Sequence, residues 1–255
     1  MTRQIPRCGV TLIESIVVLG AALMLATLLL PAVAKARQAA DRTQSINNLK
    51  QLGIAMHNFH DSLRRLPPMV GRMGNQDGSA HFHLLPYIEQ LNVYREARGN
   101  SWQVANQVIP IYIDLDDKSL PMHLHVGAIA TTNYAGNWLG FKDGMNRFPA
   151  NFQDGTSNTM AFATRYQICN GTPTAWAYPA ISTWTPMFGY YSHAKFQVNP
   201  SQDDCDPHVP QTIGQEMIVG VFDGSARTLS KDISPLTWHA ATTPAGGEIL
   251  GPDWQ

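Results

Sequence analysis

Gly9-Val10-Thr11-Leu12-Ile13-Glu14 opens the stretch that decides the fold. Before it stands a short leader, Met1 to Gly9, with Arg3 and Arg7 and no acid. After it, the 19 positions from Ile16 to Ala34 carry no charge. A helix rises about 1.5 Å per residue, so that run reaches about 28 Å, near the thickness of a bilayer core. Glu14 falls at the start of the apolar zone. A bare carboxylate in lipid costs about 2.5 kcal/mol or more, so its position asks for an explanation.

Three readings of this N-terminus compete. A secretory signal would be cut after Ala32-Val33-Ala34, but Glu14 and Pro31 interrupt what should be a plain apolar core. An uncleaved anchor accounts for the length and leaves Glu14 unexplained. The third reading is cleavage between Gly9 and Val10 on the cytoplasmic side, where Arg3 and Arg7 hold the leader. Val10 then becomes the first residue, Glu14 the fifth and Pro31 the twenty-second. A new α-amino group and the Glu14 carboxylate, on one subunit or between neighbours, would neutralise each other in lipid. Pro31 would leave one helix hydrogen bond unmade and bend the helix mildly.

Gly9-Val10-Thr11-Leu12-Ile13-Glu14 resembles the prepilin cleavage and methylation motif of type IV pilins and type II secretion pseudopilins. The family's usual Phe after the cut is Val10 here. The resemblance implies processing by prepilin peptidase at Gly9, methylation of the Val10 amine, and assembly with other pilin-like subunits through Val10, Glu14 and Pro31.

The helix is expected to continue past the membrane through Lys35-Ala36-Arg37-Gln38-Ala39-Ala40-Asp41-Arg42, which is rich in good helix formers. Basic residues directly after the span depart from the positive-inside pattern. Ile46, Leu49, Leu52, Met56 and Phe59 then recur at spacings of 3 to 4, so this part should lay one face on a head. Leu66-Pro67-Pro68 should end it. Expected contacts with the head are Ile46, Leu49, Met56, His57, Phe59 and His60.

The expected organisation is a leader at 1–9, a transmembrane half-helix at 10–34, a soluble amphipathic half at 35–66 and a globular β-rich head at 67–255. The fold class is α+β, a long N-terminal transmembrane helix continuing into a predominantly antiparallel β head, as in pilins. Val108-Ile109-Pro110-Ile111-Tyr112-Ile113 and Met160-Ala161-Phe162-Ala163-Thr164 read as strands. Met217–Phe222 and Ser225–Leu229 read as a hairpin turned by Asp223-Gly224. The stretch Gln167 to Gln215 reads as largely irregular.

Further runs resemble a large bacterial family that joins a prepilin-type N-terminus to a head domain of unknown function. They are Asn47-Asn48-Leu49-Lys50-Gln51, His57-Asn58-Phe59-His60, Leu84-Leu85-Pro86-Tyr87, Asn133-Tyr134-Ala135-Gly136, Asp154-Gly155-Thr156, Phe222-Asp223-Gly224-Ser225 and Ala245-Gly246-Gly247-Glu248. The chain has Ser45 where that family often has Cys, and Ile213 where it often has His.

Composition narrows the function classes. Charged residues are 15% of the 255, apolar ones 44%, and the net charge is −1. Removing Arg3 and Arg7 from the 18 basic residues leaves 16 against 19 acidic, so no basic footprint for nucleic acid remains. No phosphate-binding glycine loop and no nucleophile elbow occurs. Cys169 and Cys205 could pair in an exported domain or stay as two thiols.

Other constellations have a functional and a plain reading. His57 and His60 on one helix face, together with His81-Phe82-His83 and His123-Leu124-His125 if these run extended, could pool as zinc ligands, but no supporting acid lies at metalloprotease spacing. The plain reading, that His57 and His60 seat the helix, is favoured. Asp77-Gly78, Asp154-Gly155 and Asp223-Gly224 could ligate calcium, and ordinary turn chemistry explains them better. Asp203, Asp204 and Asp206 are the better calcium candidates, or a solvated loop. The aromatics Trp176, Tyr178, Trp184, Phe188, Tyr190 and Tyr191 are either core or, if exposed, a surface that stacks on sugars or binds protein.

The expectation is therefore a pilin-like structural subunit without enzymatic activity or cofactor. It would sit in the inner membrane by a single pass, with its head in the periplasm or at the cell surface. The alternatives are an anchored extracytoplasmic binding protein that uses the signal only for export, and a metal-dependent hydrolase.

Overall fold

A computed structural model describes residues 12–120, 125–214 and 216–254. Gly9 and Val10 lie outside them. In chain order the elements are α1 (Leu12–Leu63), β1 (Val70–Met73), β2 (Gln76–Ser79), α2 (Ala80–Leu84), α3 (Leu91–Glu96), β3 (His125–Val126), β4 (Ile129–Ala130), β5 (Tyr134–Asn137), α4 (Trp138–Phe141), β6 (Met160–Thr164), β7 (Ile168–Cys169), β8 (Thr172–Pro173), β9 (Met187–Phe188), β10 (Met217–Val221), β11 (Ala226–Leu229) and α5 (Pro235–Thr242). The chain divides into two compact units, residues 1–41 and 42–255.

The first unit is the N-terminal part of α1. It is long and apolar enough to cross a membrane. Twelve large apolar side chains from Leu12 to Val33 have 59% to 81% of their surface exposed. In water each would forgo about 1.5–3 kcal/mol of burial, which a bilayer would restore. Pro31 lies inside the helix and does not end it.

The second unit begins with the rest of α1, whose buried positions include Ser45, Asn48, Leu49, Leu52, Gly53, Ala55, Met56, Phe59 and His60. Spacings of 1, 3 and 4 put these on one stripe of a helix. The helix stops at Leu63, where Arg64 takes a positive φ of 56° and its N–H bonds the His60 carbonyl. Two prolines follow shortly, as befits a chain that cannot continue the helix.

The stripe packs on a five-stranded sheet of order β11-β10-β6-β5-β9. All neighbours are antiparallel except β5 and β9. Alternate residues serve two cores. Tyr134, Phe162 and Ile218 join Leu49, Leu52, Met56 and Phe59 on one side. Ala135, Ala163, Met217 and Val219 join Trp238 and Ala241 of α5 on the other. A sheet covered on both faces explains why β5, β6 and β10 are buried throughout.

Three expectations need correction. Ile109-Pro110-Ile111-Tyr112 is no strand: Pro110 opens a 3-10 turn, Pro110–Tyr112. Its fixed φ and missing N–H suit the start of a turn and not a ladder. The hairpin of β10 and β11 has the expected arms, but its loop is Phe222-Asp223-Gly224, with Val221 N–H bonded to the Ser225 carbonyl. His81-Phe82-His83 is not extended, since it lies in α2, capped by Ser79. Residues two apart on a helix do not share a face.

Within 167–215, Cys169 and Cys205 form a disulfide with Cα atoms 5.3 Å apart. Nearby, Arg165 is wholly buried, and burial lowers its pKa to about 10 against an opposing pull from Asp206. Its guanidinium donates to the carbonyls of Thr183 (3.0 Å), Met187 (3.3 Å) and Thr185 (3.4 Å). These two devices hold a segment with little regular structure of its own.

Gly53 marks a close approach of α1 to the loop between β10 and β11. A Cβ there would stand 2.8 Å from Gly224 Cα and 3.0 Å from the Gly224 oxygen, so backbone meets backbone. Gly224 itself needs a positive φ of 87°. Gly53→Ala should gain about 1 kcal/mol of helix propensity. It should lose about 1–3 kcal/mol to overpacking. The expected net result is a lower melting midpoint for the full-length protein in detergent, at about 2–4 °C per kcal/mol for a chain of this size. An unchanged or higher midpoint would show that the turn yields freely.

Candidate functional site

In the second unit a connected polar cluster sits where α1 meets the sheet. Asn48 on the buried stripe donates its amide to the Ile113 carbonyl (3.1 Å) and to the Tyr134 hydroxyl (3.2 Å). That hydroxyl donates to Ser45 Oγ at 3.3 Å, and Ser45 donates to Asp114 Oδ2 at 2.5 Å. Asp114 Oδ1 accepts the Asp116 N–H at 3.0 Å. The hydrogen bonds thus run from helix to strand to loop.

A second layer fixes the loop. Asn133 Oδ1 accepts the Asp114 N–H at 2.8 Å. Its amide donates to Asp117 Oδ2 (2.6 Å) and to the Arg165 carbonyl (3.0 Å). Asp117 also accepts the N–H groups of Gln167 (2.9 Å) and Ser119 (2.8 Å). Asn48 and Tyr134 come from two of the runs quoted for the family resemblance, and Asn133 precedes Tyr134 in the second. They meet at one seam.

The seam's electrostatics follow from burial. Burial pushes Asp114 up to about 6; Ser45 and the Asp116 N–H pull it down, while Asp117 and Asp116 push it further up. Burial and the Asp114 charge raise the Tyr134 phenol well above its ordinary range. Ser45 and Asp114 are only 1% and 2% exposed. Groups so enclosed hold the helix.

Aromatic packing closes the far end of the seam. The His57 and His60 rings lie 5.0 Å and 4.8 Å from the Phe148 ring. His60 Nε2 accepts the Phe148 N–H at 3.1 Å, so that lone pair is used inside the fold. Phe59 meets Tyr87 edge-on at 5.5 Å. Leu49, Met56 and Phe59 are buried, and Ile46 is half-buried against the same core. At the near end Arg42 pairs with Glu216; both are substantially exposed, so the pair contributes about 0–1 kcal/mol.

Among the described residues the candidate metal ligands do not assemble. His81 is wholly buried, with its ring 5.1 Å from Tyr112 and 5.9 Å from Phe162. Burial lowers its pKa to about 4, against a backbone contact at Tyr134. His83 Nε2 lies 2.8 Å from the Gly71 carbonyl. His123 and the side chain of His125 lie outside the described residues. Asp204 accepts from Ser201 (2.7 Å) and Asp206 from the His208 N–H (2.8 Å), while Asp203 is exposed. Among the described residues no three of His, Cys, Asp or Glu stand together to hold a metal ion.

Two acidic turns have plain duties. Asp154 accepts the N–H groups of Gly246 (2.8 Å) and Gly247 (2.9 Å), tying two quoted runs together. Asp223 accepts the Ser225 N–H at 2.8 Å inside the hairpin loop. The aromatic stretch splits: Trp176 and Phe188 are core, while Tyr190 and Tyr191 are 41% and 48% exposed. Sequence reasoning noted Ser45 only as a departure from the family pattern and gave no role to Asp114 or Trp102. Ser45 and Asp114 carry no local signal because each gains its role from a partner 69 residues away.

A family model described as "Protein of unknown function (DUF1559)" matches residues 34–107. That family is typical of prepilin-like bacterial proteins. The match takes in the buried stripe of α1 and the elements that follow it to α3 and the turn Ser101–Val104. Searches of curated proteins and of solved structures return no match.

Asp114 and His81 should oppose each other in the pH dependence of stability. Asp114 titrates near 3.8 when unfolded and near 6 when folded. Its contribution is therefore present below pH 4 and lost as pH rises through 6, about 3 kcal/mol in all. His81 titrates near 6.5 unfolded and near 4 folded. Its contribution is present above pH 6.5 and lost as pH falls through 4, again about 3 kcal/mol. Urea midpoints between pH 7 and pH 4 should fall more steeply in Asp114→Asn than in the natural protein. In His81→Phe they should fall less or rise. Parallel profiles for all three would refute both assignments.

Proposed function

We propose that the chain is an exported, single-pass, membrane-anchored pilin-like subunit, cut after Gly9 by prepilin peptidase and assembled through its apolar helix. The observation that carries this reading is the exposure of every large apolar side chain described from Leu12 to Val33, on a helix long enough to span a bilayer. A surface that apolar needs lipid or other helices around it. The Cys169–Cys205 disulfide supports a head held in an oxidising compartment outside the cytoplasm. The match to a family typical of prepilin-like proteins points the same way.

In this reading Gly9 permits the cut because it offers no side chain to the peptidase. Val10 supplies the new amine, and Glu14, in the first turn of α1, faces the amine of a neighbouring subunit. Neutralised charges are tolerable in lipid, and the pairing fixes the stagger between subunits. Prepilin peptidase, the membrane and other pilin-like subunits are the implied partners.

Sequencing the N-terminus of the membrane-embedded protein tests processing. The mature chain should begin at Val10; a start at Met1 or at Lys35 would overturn the proposal. Glu14→Ala should remain in the membrane and lose crosslinking between copies. Full crosslinking in that variant would show that copies associate without Glu14 and would overturn the pairing assigned to it.

A further inference from the structure

Three aromatic rings from two separate stretches meet at the surface of the second unit. Trp102 lies 5.2 Å from Tyr178 and 6.4 Å from Trp184, and Tyr178 lies 5.5 Å from Trp184. Trp102 is 37% exposed, and the other two are half-buried. The Tyr178 hydroxyl and Trp184 indole N–H make no hydrogen bond among the described residues, yet neither is a buried orphan. Their polar tips therefore reach solvent.

The platform is rigidly built. Asn100 caps the Trp102 N–H at 2.8 Å. The buried Ser101 hydroxyl donates to the Ala177 carbonyl at 2.5 Å, which joins the two stretches beneath the rings. The Trp184 N–H donates to Ser182 Oγ at 3.0 Å, and the Ala175 N–H to the Trp184 carbonyl at 2.8 Å. Below them, Arg165 holds the carbonyls of Thr183 and Thr185. These bonds fix the backbone under the rings, so a ligand would meet a largely preformed surface, with little ordering cost.

Charge and size select the occupant. Residues 100–104 and 177–185 contain no charged side chain. A nucleic acid stacks on aromatics but also needs cations along its backbone, and these stretches offer none. An anionic glycan fails for the same reason. Three rings carry at most about 150–250 Å² each, and these are more than half covered, so the patch falls far short of the roughly 800 Å² a protein partner buries. A sugar ring fits both limits: its C–H face would lie on an indole, and its hydroxyls would meet the Tyr178 hydroxyl and the Trp184 indole N–H.

We propose that Trp102, Tyr178 and Trp184 form a binding platform for a neutral saccharide unit of an extracytoplasmic glycan. Binding requires only the folded head and is expected whether or not the helix assembles, so failure here and failure of the filament reading are distinguishable.

The test uses the full-length protein in a zwitterionic detergent, which avoids sugar headgroups. Cellohexaose, chitohexaose, maltohexaose and mannohexaose are titrated, with tryptophan fluorescence and calorimetry as readouts, and polygalacturonate serves as the anionic comparison. At least one neutral oligosaccharide should bind saturably. Trp102→Ala and Trp184→Ala should each weaken it at least tenfold, with melting midpoints close to the natural protein's. Trp102→Phe, which keeps a ring, should retain part of the affinity, and Tyr191→Ala, away from the three rings, all of it. The proposal is overturned if no neutral oligosaccharide binds, if only polygalacturonate binds, or if folded Trp102→Ala and Trp184→Ala bind as the natural protein does.

Discussion

The second unit depends on burying one stripe of α1 against the sheet. Leu49, Leu52, Met56 and Phe59 are between 0% and 2% exposed, and each contributes about 1.5–3 kcal/mol by leaving water. That gain is non-directional, so by itself it would let the helix slide or rotate. The directional part comes from Asn48, Ser45 and Gly53. Asn48 and Ser45 reach Tyr134 and Asp114 only at one rotation, and Gly53 meets Gly224 only at one height. Apolar area thus supplies the affinity of helix for sheet, and the polar seam supplies the register.

The same division explains why a carboxylate is tolerated in the seam. An unpaired buried Asp would cost several kcal/mol. Asp114 is surrounded by donors from Ser45 and the Asp116 backbone, and its raised pKa shows that they offset only part of the burial cost. A position that favours the neutral acid stabilises the helix seat in mild acid. His81, enclosed by Tyr112 and Phe162 and favouring its neutral form, works the other way. Between them the core keeps its stability more even from neutral to mildly acid pH than either group alone would allow.

What could be read from sequence and what could not divides by range of interaction. The apolar run, the 3–4 spacing of Leu49, Leu52, Met56 and Phe59, and the strand pairing of β10 with β11 are short-range patterns, and each is present in the structure. Ile109–Tyr112 has strand composition but contains Pro110, and the proline's geometry outweighed the β-branched neighbours. His81-Phe82-His83 alternates like a strand, yet the Ser79 cap commits it to a helical turn. The seam was hidden for another reason. Ser45 and Asp114 are unremarkable alone, and only the folded chain brings them into one hydrogen bond.

The aromatic stretch carries this point furthest. Along the chain Trp176, Tyr178 and Trp184 look equivalent, but the turn at Trp176-Ala177 and the irregular chain that follows send them to different fates. Trp176 is fully buried, and its indole N–H is satisfied by the Gln107 carbonyl at 2.9 Å. Tyr178 and Trp184 stay at the surface and recruit Trp102 from 76 residues before Tyr178. A purely structural cluster would be expected to bury its rings and satisfy their polar tips, as Trp176 does. Rings carried on a hydrogen-bonded backbone, with hydroxyl and N–H left to solvent, meet the physical requirements of a recognition surface: amphipathic, neutral and set on an ordered scaffold.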